Sequence, residues 1–87
     1  MDSLAQIIAE LERSIEGAKF SRLLNICERF FGPPRISGSH HIFKTPWKGD
    51  PRINLQNSKG SKGKAKPYQV RQVINALKKL NSGDINE

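Results

Sequence analysis

Cysteine is nearly absent from this sequence: Cys27 stands alone. A single thiol closes no internal disulfide and builds no cysteine-based zinc site, so a reducing cytoplasm is the expected compartment. Cys27 falls on an apolar helical stripe and is assigned to packing. Long apolar runs are also missing. No stretch matches the length of a membrane-spanning helix, and residues 1–15 lack the basic start and apolar run of a signal peptide, so no membrane partner is expected. Acidic residues are scarce, eight against fifteen Lys and Arg. Within residues 19–81 only Glu28 and Asp50 are acidic, and they lie far apart. A catalytic Mg²⁺ needs clustered carboxylates, so neither a metal nor another cofactor is expected. With 36% hydrophobic side chains in 87 residues, there is material for one modest core and not for two.

What the chain does have is positive charge, and it is concentrated. Residues 1–18 carry a net −3, residues 19–81 a net +12 and residues 82–87 a net −2. A field focused in this way implies a phosphate backbone or an acidic protein as partner. The same boundaries give an acidic N-terminal helix over 1–18, a basic domain over 19–81 and a flexible tail over 82–87.

The apolar spacing predicts an α+β order of elements. Leu4, Ile7, Ile8, Leu11 and Ile15 recur at helical spacing, with Ser3 and Gln6 in capping-box positions and Gly17 as a stop. Phe20, Leu23, Leu24, Cys27, Phe30 and Phe31 form a second stripe, which Gly32-Pro33-Pro34 must end. Arg35–Ser37 and residues 40–45 read as strands joined by a tight turn at Gly38-Ser39. A longer turn through Trp47 leads to a third strand over residues 52–56, completing an antiparallel meander. Residues 57–66 form a Ser/Gly/Lys loop, and Pro67 opens a last helix with the stripe Val70, Val73, Ile74, Leu77 and Leu80.

Both histidines, His40 and His41, fall in the second strand, where successive side chains point to opposite faces. If Phe43, Ile53 and Leu55 face the helices, His41 is on the covered side and structural. His40, Ile42 and Lys44 then face outward beside Arg52, Asn54 and Gln56. A lone strand histidine is ordinarily a surface or packing residue. Yet imidazole is the side chain whose unperturbed pKa, roughly 6.5, allows proton transfer near neutrality.

Gly38-Ser39-His40 followed by Phe43, with a helix before and a proline-started helix after, resembles the HicA toxins of bacterial type II toxin–antitoxin systems. The similarity covers residues 20–80, and Lys66-Pro67-Tyr68-Gln69-Val70-Arg71-Gln72-Val73 looks like the start of that family's last helix. The resemblance implies a double-stranded-RNA-binding-domain-like fold of helix, three antiparallel strands and helix. It also implies a ribosome-independent mRNA endonuclease that inhibits translation and growth, a HicB-like antitoxin as protein partner, and His40 as the catalytic position. Three features depart from the family pattern: the acidic first helix, the long Trp47 hairpin, and a third strand that leaves through Gln56-Asn57 where many members have a proline-containing segment.

The chemistry stands without the family name, because RNA carries its own nucleophile in the 2′-hydroxyl. His40 could take the 2′-OH proton or protonate the leaving 5′-oxygen, and Lys44 and Arg52 would stabilise the developing charge. RNA contact is expected from Ser39, Lys44, Lys48, Arg52, Lys59, Lys62, Lys64 and Lys66, with helix-start N–H groups adding to the loop lysines. Trp47 either stacks on an unpaired base or folds back onto the domain. The rival is a non-catalytic double-stranded-RNA-binding module, which needs the same basic surface and no histidine chemistry.

Overall fold

The computed structural model describes residues 3–57 and 62–83. Its elements are α1 (Leu4–Arg13), α2 (Phe20–Phe31), β1 (Arg35–Ser37), β2 (His40–Phe43), β3 (Ile53–Gln56) and α3 (Pro67–Ser82), an α+β arrangement. The strands form one antiparallel sheet in the order β1-β2-β3, with helices on one face.

Local chemistry explains most boundaries. Ser3 Oγ accepts the Gln6 N–H (3.2 Å) while Gln6 Oε1 accepts the Ser3 N–H (2.8 Å), so two N–H groups that the helix cannot satisfy are bonded at its start. Gly32 ends α2 at a φ of 85° that a side chain with Cβ disfavours, and its N–H reaches Glu28 O. α3 starts with Pro67 in its first turn.

Four boundaries differ from the sequence expectation, one of them the end of α3, which runs through Ser82 where the flexible tail over 82–87 is expected to begin; residues 84–87 of that tail lie outside the described residues. α1 stops at Arg13 and does not run on to Gly17, because Ser14 leaves helical geometry and its carbonyl takes the N–H groups of both Gly17 and Ala18. β2 ends at Phe43 instead of residue 45, where Thr45 Oγ1 turns to donate to Trp47 O. β3 begins at Ile53, one residue later than expected.

α1 shares the domain core. Ile7, Ile8 and Leu11 are buried with Leu23, Ile26 and Cys27 of α2, Phe43, Ile53 and Leu55 of the sheet, and Val70, Val73 and Leu77 of α3. Each such side chain withdrawn from water stabilises the fold by about 1.5–3 kcal/mol, so α1 is tied to α3 by its apolar stripe. A bidentate pair adds to this: Arg22 Nε and a terminal guanidinium nitrogen donate to the two Glu10 oxygens at 2.9 and 2.7 Å. Among the described residues, no helix is long and apolar enough to cross a membrane.

Candidate functional site

The face of the sheet opposite the helices carries the site, and register sets its layout. Ser37 pairs with His40 and His40 with Gln56, while Arg35 pairs with Ile42 and Ile42 with Asn54. Side chains at paired positions share a face, so Ser37–His40–Gln56 and Arg35–Ile42–Asn54 form two adjacent rows. The two-residue turn that starts β2 fits its sequence, since Gly38 sits at a φ of 60°. Ser39 follows, exposed, and its Oγ accepts from Gln56 Nε2 at 3.0 Å.

His40 is half-buried, and its Nδ1 lies 2.9 Å from Asn54 Oδ1, diagonally across the sheet. With the Asn54 amide turned oxygen-first, this bond takes the tautomer that carries its hydrogen on Nδ1. In the neutral ring Nε2 is then the bare nitrogen, able to take a proton. Asn54 is held in turn: its backbone N–H, on the free edge of β3, donates to Gln72 Oε1 of α3 at 3.2 Å.

The cations divide into two groups around His40. Lys44 and Arg52 come together with Arg35 in an open cleft of about 480 Å³, with Ile42 and Asn54 also in its lining. These three cations have no ion-pair partner among the described residues. Lys44 lies four positions beyond His40, roughly 13 Å of extended backbone, so this group is set apart from the imidazole along the sheet. Arg35 was not singled out from the sequence; its signal was the register that sets it opposite Ile42. Lys48 is exposed in the β2–β3 connection and does not line the cleft.

The second group stands on the segment that leads into α3, beside the start of α2. Residues 62–66 are the end of the Ser/Gly/Lys loop, and they are tied to the start of α2. Lys64 bridges to Lys19, Gly63 O accepts the Phe20 N–H and Ala65 N–H donates to Ala18 O, both at 2.8 Å. Lys62, Lys64 and Lys66 are exposed on this anchored segment. Lys59 lies outside the described residues. The start of α3 has less to give a phosphate than expected: Pro67 has no N–H, and those of Gln69 and Val70 both donate to Lys66 O.

Two aromatic contacts settle what lies beneath. His41 points to the helix side, its ring edge-on to Phe20 at 5.7 Å, with Nδ1 buried and without a partner among the described residues. Trp47 folds back and is 8% exposed, its Nε1–H donating to Pro51 O at 2.9 Å and its ring meeting Phe31 edge-on, with Lys79 Nζ 5.5 Å from the ring centre. Of the two alternatives for Trp47, the fold takes the second, a packing role. Compared with family models, curated proteins and solved structures, the chain matches none.

Proposed function

We propose that this protein is a metal-independent endoribonuclease that cleaves mRNA through the ribose 2′-hydroxyl, with His40 as its proton-transfer group. The observation that carries this reading is the imidazole on the open sheet face whose Nδ1 is held by Asn54 and whose Nε2 is left to act. In the step proposed, Nε2 removes the 2′-OH proton as the 2′-oxygen bonds to phosphorus. The P–O5′ bond breaks, and the leaving oxygen takes a proton from water. The products are a 2′,3′-cyclic phosphate and a 5′-hydroxyl. Arg35, Lys44 and Arg52 neutralise the adjoining backbone and hold it in register.

The α2-β1-β2-β3-α3 order supports a double-stranded-RNA-binding-domain-like fold with α1 added. Together with Gly38-Ser39-His40, it supports the toxin role of the resembled HicA family, acting in the cytoplasm and inhibited by an acidic HicB-like antitoxin that covers the cationic face. Purified protein is expected to cut RNA in excess EDTA and leave 5′-hydroxyl ends. Mass spectrometry finding 5′-phosphate ends rejects the mechanism. His40→Ala is expected to bind RNA without cutting it and to relieve growth arrest, whereas a passive RNA-binding module shows no cleavage in the parent. A small acidic protein encoded in the neighbouring frame, restoring growth on co-expression, tests the partner.

A further inference from the structure

The chain has six aromatic residues, and burial sorts them. Phe20, Phe43 and Trp47 are buried, and Phe30 and Phe31 pack against the core. Tyr68 alone is mostly exposed, at 59%. A single exposed aromatic residue is ordinary, so exposure by itself says little. What sets Tyr68 apart is how it is held. Its hydroxyl accepts a hydrogen bond from Gln69 Nε2 at 3.2 Å, and the same nitrogen donates to Gln56 O at 3.0 Å. Gln69 is 1% exposed, so this anchor is fixed in the core. Two hydrogen bonds therefore separate the phenol oxygen from the carbonyl of the residue paired with His40.

An exposed ring pinned by its far end gives up little side-chain freedom when something lies on it. The charge around it is favourable to a nucleic acid. Lys66 precedes it by two residues, and Arg71 lies one turn on along the same side of α3, both exposed. Aromatic surface flanked by cations is how single strands are held, with bases stacked on rings and phosphates on ammonium or guanidinium groups. Bases inside a duplex are already stacked on one another and cannot offer a face to such a ring.

We propose that Tyr68 stacks an unpaired base next to the cleaved linkage, so that the substrate is single-stranded RNA. This rests on the nuclease reading of His40. The strand then runs from Tyr68, past His40, to the cleft of Arg35, Lys44 and Arg52 on the other side.

The test uses a single-stranded oligoribonucleotide carrying the fluorescent base 2-aminopurine at one position at a time, bound to the His40→Ala protein so that it persists. Quenching is expected at one position. Adding Tyr68→Ala removes that quenching and weakens binding about tenfold, the scale of one base–aromatic stack. Tyr68→Leu does the same, and Tyr68→Phe, which keeps the ring, retains most of both. Circular dichroism checks that each variant is folded. Annealing the oligonucleotide to its complement abolishes the Tyr68-dependent signal. Unchanged affinity and quenching in Tyr68→Ala, or duplex binding as tight and as Tyr68-dependent as single-strand binding, overturns the proposal. A parent protein that leaves RNA intact overturns the nuclease reading instead, while the quenching series still decides Tyr68.

Discussion

On the helix side of the sheet, Phe43, Ile53 and Leu55 disappear into a core that leaves His41 Nδ1 without a partner among the described residues. On the open side, His40 is bonded to Asn54 and Gln56 to Ser39, so the polar groups answer one another. The two histidines are adjacent in sequence and have the same side chain. The pleat alone sets one of them on the open face beside Asn54 and the other against Phe20 with a buried nitrogen. The sharpest way to break this comparison is to replace each in turn. His40→Ala is expected to lose roughly 10²–10⁴-fold in cleavage rate, the usual contribution of general acid–base catalysis, while its denaturation midpoint hardly moves. His41→Phe is expected to cleave normally and to be as stable as the parent or more so by about 1 kcal/mol, because it removes an unsatisfied buried polar atom. Equal losses of activity in both would show that the faces are not distinct.

The next strand repeats the contrast with a smaller effect. Leu55→Ala opens a hole in the core and is expected to cost about 2–5 kcal/mol in urea unfolding. Its neighbour Asn54 faces the other way. Asn54→Leu is expected to leave stability within roughly 0.5 kcal/mol of the parent, since Asn54 is exposed and its backbone bond to Gln72 survives. Cleavage should fall about tenfold through loss of the acceptor that fixes the imidazole tautomer. Nitrogen-15 shifts of His40 would report the change directly: a hydrogen that stays wholly on Nδ1 in the variant refutes the positioning role.

Features governed by neighbouring residues could be read from the chain, and features governed by distant ones could not. Apolar stripes, the Gly32-Pro33-Pro34 break, the Gly38-Ser39 turn and the Pro67 start are local, and with strand alternation they place His40 outward. The end of α1 is different, because the apolar stripe continues to Ile15 while Ser14 folds the backbone toward α2. Composition also reads residues 62–66 only as the end of a loop, and the fold bonds them to the start of α2. The aromatic residues show the same limit. A tryptophan at a loop tip is open to stacking or to folding back, and Phe31, Pro51 and Lys79 decide for the second. Tyr68, at the start of a helix, turns out to be the exposed ring. Arg35 enters the site only through register across two strands.

Cys27 extends the comparison into alkaline solution, because it lies wholly within the covered layer. Burial, with the charge of Glu28 adding to it, pushes its thiol from an ordinary 9.0 up to about 12. Below pH 9 the thiol is protonated in both folded and unfolded chains and contributes nothing. Between the two values the unfolded chain releases the proton and the folded one retains it, so stability falls as pH rises. The slope approaches about 1.4 kcal/mol per pH unit. Cys27→Ala removes this slope while other alkaline titrations remain, so the difference between parent and variant isolates the thiol. A thiol reagent should likewise modify the folded protein slowly and the unfolded one fast.

The smallest expected effect is at Glu10 and Arg22, where the helix layer meets water. The Arg22 hydrogen bond lowers the Glu10 pKa, burial opposes it, and the charges of Arg22 and Arg13 reinforce the lowering. A carboxylate whose folded pKa lies below its ordinary 4.5 stabilises the fold fully at neutral pH, and that contribution is lost as pH falls through 4.5 toward the folded value. Both side chains are more than a third accessible or close to it, so water screens the pair. Glu10→Gln should therefore cost only about 0.5 kcal/mol at neutral pH, less in high salt, and nothing once the parent carboxylate is protonated. Cleavage should not change, because the pair fastens α1 to α2. A loss of activity in this variant would mean that the two sides of the sheet communicate. The assignment of chemistry to one face and stability to the other would then have to be abandoned.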